Sequence, residues 1–74
     1  MKKNKYVIIE EWGIEQIIIF PETLKHDMFK ALNPIRGGFC IIQDQKISCF
    51  GKSTSLQIES HPEKDAKIAT EQLM

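Results

Sequence analysis

The sequence predicts a single small α+β domain, residues 1–74, with a mainly antiparallel sheet and two helices in the order ββαββ(β)α. Three observations carry this reading. Val- and Ile-rich runs flank Trp12-Gly13 and Asp44-Gln45, as the strands of hairpins do. Stretches with helical spacing and cap signals begin near Thr23 and Ser60. At 74 residues the chain has room for one core only.

Residues 5–11, KYVIIEE, and 14–20, IEQIIIF, form the first hairpin. A two-residue turn at Trp12-Gly13 would set Glu10 opposite Glu15, a like-charge pair that costs stability. The longer loop Glu11-Trp12-Gly13, which pairs Glu10 with Ile14, is therefore expected. Tyr6, Ile8, Ile14 and Ile18 would then share one face, and Val7, Ile9, Ile17 and Ile19 the other. Two apolar faces predict cover on both sides, by helices or by a second copy of the chain.

Pro21 ends the second strand, and a helix is expected over about 23–32, capped by Thr23 and burying Leu24, Met28, Ala31 and Leu32. Asn33-Pro34 stops it, and IRGG reads as the loop out. FCIIQDQKISCF is a second hairpin turning at Asp44-Gln45. Cys40 then faces Cys49 and Ile42 faces Ile47 on a core face, with Phe39, Ile41, Ser48 and Phe50 on the other. STSLQIE alternates polar and apolar residues and reads as a short extended segment. Ser60 and Glu63 have capping-box spacing for a last helix over about 61–73, with Pro62, Ala66, Ala69 and Leu73 on its buried side.

Several chemistries fail on spacing. Gly51-Lys52-Ser53 resembles the end of a phosphate loop, but the glycine required five residues before Gly51 is Lys46, and an extended segment follows instead of a helix. Cys40, Cys49, His26 and His61 stand singly, without the close pairs of a zinc site, so no metal or cofactor is expected and the histidines read as surface residues. No nucleophile has a base held beside it, and G-x-S-x-G is absent, so no catalytic residue is expected. Asp44, Glu63 and Asp65 sit at a turn and a helix start, where acids serve structure. No run approaches the roughly 18 apolar residues of a membrane span, and the apolar start is too short for a signal-peptide core. A cytoplasmic setting with reduced thiols follows. Facing cysteines would still allow a redox-sensitive cross-strand bond, although neither has a cationic neighbour to activate it.

Binding chemistry remains. Trp12 lies at a hairpin tip, and tryptophan is enriched at binding hot spots. Arg36, Phe39, Phe50 and Lys52 around the second hairpin could stack and pair with single-stranded nucleic acid. Ten basic against ten acidic residues lack the excess usual in duplex-binding proteins, which counts against nucleic acid as the main partner.

Gly38-Phe39, Cys49-Phe50-Gly51, Ser53-x-Ser55-Leu56 and Ser60-x-Pro62 followed by Asp65-Ala66 form a recognisable series. It is similar to a tail that recurs in small uncharacterised proteins encoded by bacteriophages and prophages. The likeness covers about residues 35–68, with a weaker echo at Phe20-Pro21 and His26, and departs at Lys64, which separates Glu63 from Asp65. The resemblance implies a phage or prophage accessory protein and brings no catalytic residues with it. Polar residues that cluster nowhere point to action by binding a protein partner, a host protein by analogy or the chain itself through the apolar first hairpin.

Overall fold

The fold is α+β, as the sequence predicts. The computed structural model describes residues 2–73. Strands β1 (Lys3–Glu11), β2 (Ile14–Pro21), β3 (Arg36–Gln43) and β4 (Lys46–Phe50) form one antiparallel sheet in the order β2-β1-β3-β4. A 3-10 helix (His26–Leu32) follows β2. The two-residue strands β5 (Lys52–Ser53) and β6 (Ile58–Glu59) pair with each other, and helix α1 (Pro62–Leu73) closes the chain.

β1 lies between two neighbours and carries the apolar run Val7-Ile8-Ile9 because both of its faces are covered. On one face α1 lays Ala69 over Tyr6, Ile8, Ile17, Cys40, Ile47 and Cys49. On the other, the 3-10 helix drops His26 edge-on between Phe20 and Phe39 and leans Phe29 on Phe20. Tyr6, Val7 and Ile8 are fully buried by their own chain, so the apolar hairpin does not call for a second copy.

The first hairpin corrects the expected loop. Glu10 does pair with Glu15, and the turn is the two-residue Trp12-Gly13, with φ of 56° and 76°. These are type I′ values, which match the twist of the strands. The like-charge pair is tolerated because Glu15 is bonded to Arg36 and lies 3.2 Å from the Lys64 ammonium. The shift by one residue moves Ile17 and Ile19 onto the Tyr6 face and Ile18 onto the Val7 face, and it leaves Ile14 61% exposed.

The second hairpin follows its expected register, Cys40 opposite Cys49 and Ile42 opposite Ile47, around a type I′ turn at Asp44-Gln45. Ile42 lies beyond the cover of α1 and is exposed rather than core. Gly37 and Gly38 belong to β3, not to a loop. A Cβ on Gly38 would run into the carbonyl oxygen of Phe50, so only glycine lets the chain leave β4 so close to β3.

Two helical expectations change. Residues 26–32 form a 3-10 helix without a side-chain cap; Met28, Ala31 and Leu32 face solvent, and the buried residue is His26, whose Nε2 lies 2.8 Å from the Gly38 carbonyl oxygen. Asn33 ends it in the left-handed region at φ 53°. At α1 the cap is His61, not Ser60. Lys64 N–H donates to His61 Nδ1 (3.3 Å), and His61 N–H donates to the Asp65 carboxylate (2.9 Å), while Ser60 Oγ donates to the Gly51 carbonyl. Pro62 takes the first helical position, where its missing N–H costs nothing, and is exposed, as is Leu73. STSLQIE folds back on itself through a turn at Thr54–Gln57 instead of running as one extended strand.

The far end of α1 finishes the sheet. In the β1–β2 ladder Glu15, Ile17 and Ile19 point their backbone groups away from β1. The Gln72 amide accepts from Ile17 N–H (3.0 Å) and donates to the Glu15 carbonyl (2.7 Å), making the two bonds that one residue of a parallel neighbouring strand would make. Among the described residues no helix is long and apolar enough to cross a membrane.

Candidate functional site

Trp12 is 98% exposed. Its backbone occupies a conformation that costs a non-glycine residue about 1–2 kcal/mol, at a position where Asn, Asp or Gly is the usual choice. Among the described residues nothing offsets that cost, since the indole does not fold back onto the sheet. Exposed Ile14 adjoins it, and Glu10 and Glu11, also exposed, supply a carboxylate rim. The tip is therefore an apolar knob with an acidic collar on a two-stranded stalk.

Arg36 lies elsewhere than the sequence suggests. It points to the α1 side of the sheet, donates through Nε to Asp65 Oδ1 (2.7 Å) and through Nη2 to Glu15 Oε1. Asp65 is fully buried and also accepts the Tyr6 hydroxyl at 2.5 Å. Burial, followed by the bond to Asp65, pushes the Tyr6 phenol far above its usual range. Burial works against the Arg36 charge, but the bonds to Glu15 and Asp65 outweigh it and hold the guanidinium more firmly protonated. The Arg36 bond, with Lys64 behind it, holds Glu15 below the usual carboxylate range. This network ties β1, β2, β3 and the start of α1 together, and Tyr6 and Asp65 at its centre are closed to solvent. Arg36 is thereby removed from any nucleic-acid surface.

The remaining residues of that surface do come together. Phe39 and Phe50 are cross-strand neighbours with rings 5.9 Å apart and 25° from parallel, on the face away from α1. Phe50 is 37% exposed. Lys52, Lys5 and Lys25 line a cleft beside Phe39. Lys3 Nζ stands 4.8 Å from the Phe39 ring centre and 2.9 Å from Glu22.

Cys40 and Cys49 are free and buried. Counting from the turn, their pair has the non-hydrogen-bonded spacing, with Cα atoms about 4.5 Å apart. Burial raises the Cys40 thiol to about 11; burial, with Cys40 and Asp65 nearby, raises Cys49 to about 12. Both are poor nucleophiles at neutral pH. Among the described residues no cluster of His, Cys, Asp or Glu could hold a metal ion; His26 is walled in by aromatic rings, contrary to the surface position expected of it, whereas His61 is exposed. Sequence reasoning missed the Tyr6–Asp65–Arg36–Glu15 network, whose signal is a Tyr and an Arg at core-facing strand positions that require buried partners.

No protein family matches the chain, and comparison with curated proteins and with solved structures gives no match.

Proposed function

We propose that the chain is a small phage or prophage accessory protein that works by binding another protein, with the Trp12 tip as its docking knob. The observation that carries this reading is a fully exposed tryptophan held in a backbone conformation that disfavours it. Strain of this kind at an exposed position points to use outside the chain. A shallow apolar pocket with a basic rim fits Trp12 and Ile14 inside the collar of Glu10 and Glu11. The likeness of residues 35–68 to phage and prophage proteins supports the origin, and two free thiols suit a reducing cytoplasm.

Trp12 is the one tryptophan in the sequence, so its fluorescence reports on the tip alone. Capture from bacterial lysate by the wild type, compared with Trp12→Asn, identifies the partner. Titrating that partner in pure form should shift the indole emission to shorter wavelength. The reading fails if Trp12→Asn captures the same proteins as strongly.

A further inference from the structure

We infer that the open half of the sheet, opposite α1, binds single-stranded nucleic acid, with Phe50 as the stacking surface and Lys25 and Lys52 as phosphate contacts. This goes beyond the protein-docking reading and uses the other end of the molecule. Zero net charge hides a separation. Lys3 and Lys5 begin β1 and Glu10 and Glu11 end it, with Lys3 and Glu10 about 23 Å apart at ~3.3 Å per residue. At the basic end, the cleft beside Phe39 holds three lysines against one carboxylate, Asp27, with Thr54 and Ser55 at its wall. Lys5 Nζ donates to the Leu24 carbonyl (2.7 Å) and adds its charge from within, while Lys25 and Lys52 are exposed.

The aromatic pair adjoins that cleft. Phe39 backs Phe50, and Lys3 already covers the Phe39 ring, so Phe50 is the ring free to take a base. From Phe50 the same face continues along β3 and β4 through Ile41 and Ser48 to Lys46, a track about 13 Å long. A shallow sheet face with an exposed ring, flanked by cations along its border, suits an unpaired strand, whose bases can splay onto aromatics while phosphates meet lysines. It does not suit a duplex, because among the described residues no helix or ribbon projects from it to enter a groove.

The test is fluorescence anisotropy with labelled ten-nucleotide oligo-dT and oligo-rU in about 20 mM salt. Binding should weaken with added salt, and the Lys25→Ala/Lys52→Ala double variant should lower the log–log slope by about 1.4, at ~0.7 per phosphate contact. Phe50→Ala should weaken binding about tenfold. Because Phe50 also packs on Phe39, Phe50→Leu serves as a second variant that keeps apolar cover while removing the ring; it should weaken binding at an unchanged melting temperature. Absence of binding at low salt overturns the inference. So does equal affinity for inorganic polyphosphate together with indifference to Phe50→Leu, which would reduce the surface to general cation attraction. Trp12→Asn should leave oligonucleotide binding intact, so this inference and the docking reading stand or fall separately.

Discussion

Replacing Asp65 with Ala tests the network that joins the sheet to α1. The carboxylate has three partners: the Tyr6 hydroxyl, the Arg36 Nε and the His61 N–H. Losing it strands a fully buried hydroxyl, at about 1–3 kcal/mol, and removes a helix-start acceptor, at about 1 kcal/mol. Arg36 keeps Glu15, which softens the third loss. The sum, about 3 kcal/mol or somewhat more, lies at the lower end of what breaking a buried charge pair costs, about 3–5 kcal/mol. A chain of 74 residues holds roughly 4–11 kcal/mol in total. Asp65→Ala should therefore lower the melting temperature by about 12 °C or more and move the urea midpoint to match. Tyr6→Phe, which deletes only the hydroxyl, should cost about 1–2 kcal/mol. Circular dichroism during urea titration reads both. A loss under about 1 kcal/mol for Asp65→Ala would refute the reasoning, since bonds worth so little could not organise the helix start.

Other expectations follow from single contacts. Because the folded chain holds Glu15 below its ordinary range, its contribution is complete above the unfolded value of about 4.3 and is lost as pH falls through the lower folded value. Glu15→Gln should thus be less stable than the wild type at pH 7 and converge with it in acid; a gap that stays constant down to pH 2 contradicts this. Trp12→Asn should raise stability by about 1 kcal/mol by relieving the turn, as a denaturant midpoint will show, and a loss of stability would mean that the indole has a partner within the chain. Both thiols should react with a disulfide reagent at pH 8 only as fast as the chain opens, and rapid labelling of the native protein would contradict their burial. Gly38→Ala should destabilise by about 1–3 kcal/mol through its clash with the Phe50 carbonyl, measured by thermal melting; an unchanged melting temperature would show that β4 can shift to make room.

The second hairpin was legible because its alternation and its turn agree on one register. The first was misread at its turn because Glu10 and Glu15 were weighed as an isolated pair. What neutralises Glu15 comes from Arg36 and Lys64, distant in sequence and invisible to a local rule. The segment after Pro21 has helical apolar spacing, but His26 fits between Phe20 and Phe39 and winds the chain as a 3-10 helix, leaving Met28 and Leu32 outside. Tertiary packing overrode periodicity there. The exposure of Trp12 could be read from its place at a hairpin tip, and the pairing of Phe39 with Phe50 from strand parity. The fate of Arg36 could not, because parity gives a side chain its face but not its partner.

The amide of Gln72 acts as a stopper on the outer rim of β2. Extended chains recruit one another through such rims, and here a flexible side chain on the last turn of a helix stands guard with only two bonds. Fraying of that turn would uncover Ile17 and its neighbours as a template for a foreign strand. Solubility at high concentration is therefore linked to how firmly a few helical residues stay wound, more than to the buried centre of the fold.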